Sequence, residues 1–235
     1  MRRILNNEDF PYFVDEEGNY RYRHDKTPVE VVDRDEVTYT IRVFNEGTIE
    51  GFAEEIEDDI PEGLIFLPEN ETNIEHRWKM YYYNEEGVLV ETENEEEAEV
   101  IRTDFLSEAN GTIDETTGKN SNLLEVFDKG TMETPDCRDI KVVFKVAQED
   151  IPEDNTDGII INKAHITDDS DDDEDSIPDE WNEGEDDQDK EYIYVQKFDL
   201  ALFKWVSQSI VTVDGKTTTT ETGFKPNIGK TETTG

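Results

Sequence analysis

The sequence predicts an all-β protein built around a β-sandwich, and three observations lead to that prediction. Short apolar segments recur at intervals of roughly ten residues, with Gly, Pro and Asn between them. Several of these segments alternate apolar and polar residues, which is the period of a half-buried strand. An Asp-Gly pair late in the chain is flanked by β-forming residues and indicates a tight hairpin.

The clearest strand covers residues 37–44, with the sequence VTYTIRVF. Its apolar residues alternate with polar ones and therefore share one face. They are Val37, Tyr39, Ile41 and Val43. A turn at residues 45–47 leads into a less regular strand over residues 48–60, which ends before Pro61 and Gly63. The two segments are predicted to form a hairpin.

The same signals predict further strands along the chain. These strands cover residues 64–67, 78–83, 88–90, 140–146 and 159–166. The turn at Asp214 and Gly215 is predicted to join a final pair of strands. Residues 98–106 and 121–127 have mixed spacing that fits a short helix and an irregular strand equally, so both alternatives stay open.

The chain is strongly acidic, with 22 Lys and Arg against 62 Asp and Glu and a formal net charge of −40. Such a surface repels phosphate backbones and anionic lipid headgroups, so the sequence predicts no nucleic-acid partner and no electrostatic binding to membranes. The apolar runs are too short for direct membrane insertion. Residues 1–13 do not fit a signal peptide, so a signal and an anchor are expected to lie outside this sequence.

Composition also predicts the domain organisation. Residues 168–189 contain 14 acidic residues and no basic one, between segments with regular apolar patterning. We therefore expect a repeat domain over residues 1–167, an acidic linker over residues 168–190, and the incomplete start of a second repeat over residues 191–235.

Residues 37–67 resemble the conserved-repeat domain, catalogued as domain of unknown function eleven, of Gram-positive bacterial surface proteins. The positions that match the repeat's consensus are Val37, Tyr39, Thr40, Ile41, Val43, Asn45, Gly47, Asp58 or Asp59, Pro61, Gly63, Leu64 and Phe66. Repeats of clostridial surface proteins are similar over a wider span, which includes RWKMYYYN, the strand with Asn162 and the segment FDLALFKWV. The resemblance covers about one repeat and the start of the next.

The resemblance implies an immunoglobulin-like sandwich with a non-catalytic role as a stalk, spacer or adhesin module at the bacterial cell surface or cell wall. The partners it implies are neighbouring repeats of the same polypeptide and a host or matrix protein or carbohydrate. In such arrays an FDLAL-type strand opens each domain. No copy of it precedes residues 21–32, so the first domain is expected to have an unpaired sheet edge.

Three polar residues lie in phase with apolar faces of predicted strands, namely Asp58, Asn162 and Lys204. A buried polar group without a partner costs about 1–3 kcal/mol. An amine, a carboxylic acid that polarises an amide, and that amide are together what an intramolecular isopeptide bond requires. Because Lys204 belongs to the second repeat, the bond is not expected to close within this chain. In the alternative, Asp58 and Asn162 satisfy turns or backbone groups and Lys204 extends into solvent.

The acidic stretch offers carboxylates at alternate positions, as calcium-binding loops do. The candidate calcium ligands are Asp169, Asp171, Asp173, Asp175 and Glu180. The EF-hand pattern is incomplete, because Glu174 occupies the sixth position where that loop has glycine. The stretch is therefore either a solvated linker that repels itself or a calcium-binding extracellular module, and Ca²⁺ is the one cofactor that the sequence suggests.

The motifs of common enzyme classes are absent from the sequence. No Gly-rich phosphate loop, GxSxG or HExxH is present, and Cys137 is the only cysteine. The sequence therefore predicts no enzyme. A carbohydrate-active sandwich is the remaining alternative, and it predicts a concave pocket lined by Trp78 and by the three tyrosines 81–83, whereas a stalk predicts that these aromatic residues fill the core.

Overall fold

The computed structural model describes residues 12–14, 20–22, 26–45, 47–126, 135–170, 187–197, 200–202, 204–205 and 208–221. The chain forms two compact units, Met1–Lys197 and Phe198–Gly235. Nearly all of the regular structure is β, which confirms the predicted fold class.

Short strands recur along both units. In chain order they are β1 (Tyr12–Val14), β2 (Tyr20–Tyr22), β3 (Val29–Val31), β4 (Glu36–Asn45), β5 (Ala53–Asp59), β6 (Leu64–Phe66), β7 (Lys79–Tyr83), β8 (Leu89–Thr92), β9 (Val100–Thr103), β10 (Asp136–Val146), β11 (Ile159–Asp169), β12 (Gln188–Val195), β13 (Gln208–Val213) and β14 (Lys216–Glu221). The helical segments are α1 (Glu71–Glu75) and two short 3-10 turns, Glu108–Asn110 and Gln148–Asp150.

Two sheets of the first unit enclose its core. One has seven strands in the order β3-β12-β11-β5-β9-β7-β8, and the other has three strands in the order β4-β10-β6. Strands β3 and β12 run parallel, and the other pairs in these sheets are antiparallel. Side chains from both sheets join one buried cluster, so the first unit is a sandwich.

Strand β4 has the predicted alternation, since Tyr39 and Val43 are buried and the threonines on either side of Tyr39 are exposed. The predicted hairpin between β4 and the following strand is wrong. Strand β4 pairs with β10, and β5 pairs with β9 and β11 in the other sheet. The chain therefore passes from one sheet to the other between β4 and β5, as connections in sandwiches commonly do.

The strands predicted at residues 78–83 and 88–90 are present as β7 and β8, which form an antiparallel hairpin around the turn that begins at Asn84. One ambiguous segment, residues 98–106, contains strand β9 between β5 and β7. The other, residues 121–127, makes turns and one isolated bridge from Leu124 to Gly51 over its described part, residues 121–126. Neither described segment is helical.

The boundary between the units differs from the predicted one. Strand β12 pairs with β11 and β3, so residues 188–195 complete the first sandwich and do not begin a second repeat. Composition placed the boundary at the end of the acidic run, but the apolar residues Ile193 and Val195 are buried in the first core. The second unit begins at Phe198 and contains the hairpin β13-β14, whose turn has Asp214 and Gly215 at φ 50° and 76°. This hairpin confirms the Asp-Gly prediction.

Asn73 of α1 extends the edge of the three-stranded sheet. Its Nδ2 donates to the Val143 carbonyl at 2.9 Å and to the Leu67 carbonyl at 2.8 Å. Its Oδ1 accepts the Val143 amide N–H at 2.8 Å. The side chain thus pairs with β10 as a neighbouring strand would, just beyond the point where β6 ends its pairing at Phe144.

The Asn73→Asp variant is expected to lose about 3 kcal/mol of unfolding free energy at neutral pH. A carboxylate cannot donate to the two carbonyls, and it introduces a buried charge. Asn70→Asp is the matched control, because the Asn70 side chain only accepts a hydrogen bond, from the Thr72 N–H at the start of α1, and a carboxylate does this equally well. Urea unfolding of both variants measures the difference, and equal losses would contradict the role assigned to Asn73.

Gly63 occupies a left-handed backbone conformation, with φ at 93°, in the turn between β5 and β6. A Cβ at this position would lie 2.7 Å from side-chain carbons of both Ile151 and Ile160. Gly87, in the β7-β8 turn, has a similar φ of 74°, but a Cβ there would project into open space.

Comparison of Gly63→Ala with Gly87→Ala separates two costs to stability, the strain of a positive φ and the crowding of a new Cβ against the core. Both substitutions place a β-carbon at positive φ, which costs about 1 kcal/mol. Only Gly63→Ala also forces two isoleucines packed in the core to move, which adds about 1–3 kcal/mol. Thermal unfolding of the two variants is expected to show the larger loss for Gly63→Ala, and the reverse order would contradict this account.

Candidate functional site

Neighbouring strands bring two of the three predicted crosslink residues into contact. Asp58 of β5 and Asn162 of β11 face the interior of the sandwich, and β5 and β11 are paired with Asp58 opposite Ala164. The Asn162 Nδ2 donates to Asp58 Oδ1 at 2.6 Å and to the Asp59 carbonyl at 3.1 Å. The side chain of Asp58 is completely buried. The alternation of apolar and polar residues thus predicted the correct face for both residues.

The second oxygen of Asp58 has a different environment. Asp58 Oδ2 and the Tyr39 hydroxyl oxygen are both buried, and neither has a hydrogen-bond partner among the described residues. Tyr39 projects from β4 in the opposite sheet, where its ring packs edge-on against Phe144 at a centroid distance of 6.0 Å. The interior therefore holds a carboxyl oxygen and a phenol whose hydrogen-bonding capacity is unused by the described part of the chain.

Burial controls the ionisation of both groups. Removal from water raises the pKa of Asp58 well above its usual range, and the neighbouring charges of Asp59 and Glu57 raise it further, although the hydrogen bond from Asn162 opposes them. Burial also raises the pKa of Tyr39, and the negative charges of Asp58 and Glu191 add to the effect. A neutral acid is thus favoured, and it carries an O–H donor beside the Asn162 amide.

A lysine approaches the margin of this cluster. The Lys26 ammonium lies 3.6 Å from Glu191, the β12 residue whose charge acts on Tyr39. It is engaged by Asp189 Oδ2 at 2.6 Å and by the Lys190 carbonyl at 2.7 Å. The Lys26 amine is thus occupied by acceptors at the sheet margin.

The outer face of β5 carries a separate ionic cluster that the sequence patterns did not indicate. Arg102 donates to Glu57 at 2.5 Å and to Glu55 at 2.6 Å, and the Thr167 hydroxyl also bonds Glu55. Glu57 is buried although it lies on the opposite face of β5 from Asp58. The strand register explains this cluster, because Glu57 pairs with Arg102 across β5 and β9. Only the pairing of these distant strands could have revealed it.

The remaining predicted site residues are not brought to the cluster. Lys204 lies in the second unit and is exposed. Asp169 ends β11, where it pairs with Ala53 of β5. The other predicted calcium ligands, Asp171, Asp173, Asp175 and Glu180, lie outside the described residues. Within the described ranges no group of three or more His, Cys, Asp or Glu side chains is arranged to hold a metal ion.

The aromatic residues of the WKMYYY segment divide between the core and the surface. Trp78 is buried and its Nε1 donates to the Lys141 carbonyl of β10 at 2.8 Å, so the indole joins the two sheets. Tyr81 and Tyr82 are half-buried and Tyr83 is exposed. The single pocket lined by all four aromatic residues is therefore not formed, and only Trp78 follows the core prediction.

Comparison with known proteins found no family model, no curated protein and no solved structure that matches the chain. The candidate site is therefore identified from the geometry of the fold. None of the helices in the described ranges has the length and apolar character needed to cross a membrane. The Asp58–Asn162 pair with Tyr39 is thus the candidate site that the structure itself provides.

The Asp58→Asn variant is expected to change how stability depends on pH. Because the folded-state pKa of Asp58 is raised, the unfolded chain releases this proton first as pH rises, so the wild type loses up to about 1.4 kcal/mol per pH unit between the two pKa values. An amide keeps an acceptor for Asn162 and removes the titration. The variant should therefore gain stability relative to the wild type as pH rises above about 4, the unfolded-state pKa of an Asp.

Asp114→Asn is the control for this measurement. Asp114 accepts the amide N–H groups of Thr116 and Thr117, and these bonds lower its pKa. Its contribution is fully present above about pH 4 and is lost only below that pH, so from pH 4 to pH 9 this variant should differ from the wild type by a constant amount. Urea unfolding from pH 4 to pH 9 compares the three proteins. A constant difference between Asp58→Asn and the wild type across this range would contradict the assignment of a buried neutral acid.

Proposed function

We propose that this chain is a non-catalytic structural segment of a bacterial cell-surface or cell-wall protein, in which immunoglobulin-like repeats form a stalk, spacer or adhesin. The observation that carries the proposal is the order of units along the chain. A sandwich with a continuous buried core ends at Lys197, and a second compact unit with its own hairpin begins at the next residue. Repeats connected in this way build elongated arrays.

The buried position of Trp78 supports the proposal that the aromatic residue packs the core and does not bind a ligand. Its ring fills space between the sheets, and its N–H is satisfied by the backbone of β10. A carbohydrate-binding aromatic side chain needs an exposed face on which a sugar ring can stack. The buried position of Trp78 therefore favours the structural role over the carbohydrate-active alternative.

The chain's acidity is also consistent with a position in the extracellular layer. A formal net charge of −40 keeps neighbouring copies soluble and apart unless a specific contact joins them. The neighbouring repeats of the same polypeptide are the partners that this proposal requires. A host or matrix protein or carbohydrate would be bound by an adhesin version of the same array.

Labelling of intact cells tests the proposal. Antibodies raised against the full chain are expected to label intact cells of the encoding bacterium, and external trypsin should remove the label while a cytoplasmic marker protein stays intact. Recovery of the protein only from the cytoplasmic fraction would contradict the proposal.

A melting curve of the full chain with millimolar calcium and with EDTA distinguishes the calcium alternative. The structural role alone predicts equal unfolding temperatures in the two solutions. A rise of several degrees with calcium would favour the calcium-binding module instead.

A further inference from the structure

We propose that the cleft between the β3-β4 turn and the end of β10 binds a small zwitterion, a molecule that carries both an ammonium and a carboxylate, as free amino acids and short peptides with free ends do. The cleft has a volume of about 320 Å³ and is lined by residues 33–34 and 145–149. It lies in the first unit, and neither Asp58 nor Asn162 lines it. The inference goes beyond the proposed function and does not depend on it.

Hydrogen bonds hold the β3-β4 turn against the end of β10. The Arg34 N–H donates to the Val146 carbonyl at 2.8 Å, and the Val146 N–H donates to the Asp35 carbonyl at 2.8 Å. The Asp33 carboxylate accepts the Gln148 N–H at 3.0 Å. These bonds join the turn to β10 and to the 3-10 turn that follows it, so the fold itself fixes the walls of the cleft.

Arg34 has a backbone conformation that is unfavourable for its residue type. Its φ is 67°, in the left-handed region that favours glycine because a Cβ there crowds the following carbonyl oxygen. Arg77 has a similar φ of 58°, but Asp104 engages its guanidinium at 2.8 Å. The Arg34 side chain is 81% exposed, and its one ion pair within the described residues is to the adjacent Asp33 at 3.4 Å. Packing therefore does not explain an arginine here, and such strain is typical of functional sites.

Lys145 places a second cation in the cleft. It lies opposite Glu36 across β4 and β10, yet its ammonium forms no ion pair or hydrogen bond with the described part of the chain. By contrast, Lys79 of β7 pairs with Glu91 of β8 at 3.0 Å. In a chain with 62 acidic residues, an unpaired lysine in the same cleft as an exposed arginine indicates a place for a carboxylate from a ligand.

Two acidic residues of the cleft favour a ligand that also carries a positive charge. Asp33 and Glu149 line the cleft together with Arg34 and Lys145, so the charges of its lining residues sum to zero. A purely anionic ligand would meet these two carboxylates and the field of a chain whose formal net charge is −40. A zwitterion offers a carboxylate to the two cations and an ammonium to the two acids, and it has no net charge for the chain to repel.

The size of the cleft limits the ligand to a small molecule. A volume of about 320 Å³ lies at the lower end of the range for small-molecule sites, roughly 300–1,000 Å³. The cleft is partly open, so solvent and salt screen the ion pairs that form in it. A ligand the size of an amino acid or a dipeptide is therefore expected, with a dissociation constant of about 1 mM.

Amide chemical shifts of the nitrogen-15-labelled full chain test the proposal, with alanine and alanyl-alanine as probes. Both probes are expected to shift the amide signals of residues 33–35 and 145–149, with half-saturation at about 1 mM. N-acetylalanine lacks the ammonium and alaninamide lacks the carboxylate, so each should bind at least about tenfold more weakly. The tighter of the two probes shows whether a free amino acid or a short peptide is the better ligand.

Arg34→Gly separates binding from stability. Glycine removes the strain of the positive φ, so the unfolding temperature should equal or exceed that of the wild type. Binding of alanine should nevertheless weaken at least about tenfold, because the guanidinium is lost.

Two further variants and a matched control divide the ligand between the charges of the cleft. Lys145→Gln should weaken the binding of both probes, and Glu149→Gln should reduce the difference between alanine and N-acetylalanine. Lys141→Gln is the control, because Lys141 is an exposed residue on the same face of β10 but does not line the cleft. It should bind both probes as the wild type does.

Four results would overturn the proposal. They are unchanged cleft amide signals at about 20 mM probe, equal affinity for alanine and N-acetylalanine, wild-type binding by Arg34→Gly, and a fall of several degrees in the unfolding temperature of that variant. Surface labelling is measured separately, so a chain found on the cell surface that binds neither probe would refute this inference alone. A chain that binds a probe but stays in the cytoplasm would refute the proposed function.

Discussion

Burial of the Asp58 carboxyl is the constraint that links ionisation inside the sandwich to the stability of the fold. Its hydrogen bond with Asn162 ties β5 to β11 on the inner face, and its remaining oxygen faces an interior shared with Tyr39 of the opposite sheet. Since an ionised carboxylate in such a place is costly, the fold favours the neutral acid. The hydrogen bond between β5 and β11 and the pH dependence of stability therefore arise from the placement of one side chain.

The other buried polar groups of the first unit show how differently this site is built. Asn73 uses its amide nitrogen and its oxygen to pair with the backbone of β10, and Trp78 donates its only N–H to the same strand. Both side chains fix the position of a neighbouring segment against β10. Asp58 Oδ2 and the Tyr39 hydroxyl instead have no hydrogen-bond partner among the described residues.

Strand periodicity made the faces of the individual strands predictable. The alternation around Tyr39, Asp58 and Asn162 placed all three inside, because side-chain direction in a strand is a local property of period 2. Local turn chemistry likewise identified the hairpin at Asp214 and Gly215. Strand partners were harder to predict, since β4 pairs with β10 almost a hundred residues away, as the Arg42–Asp139 ion pair across them shows.

The sequence by itself determined the all-β class and the inward faces of β4, β5 and β11. It also determined that each of these three faces carries a polar group, namely Tyr39, Asp58 and Asn162. Tertiary structure alone decided which of these polar groups meet. It placed Asn162 against Asp58, set Arg102 between Glu55 and Glu57, and assigned β12 to the first sandwich despite the acidic run before it. The physical reason is that the face of a strand follows from its own residues, whereas its partner depends on how the whole set of apolar faces is buried together.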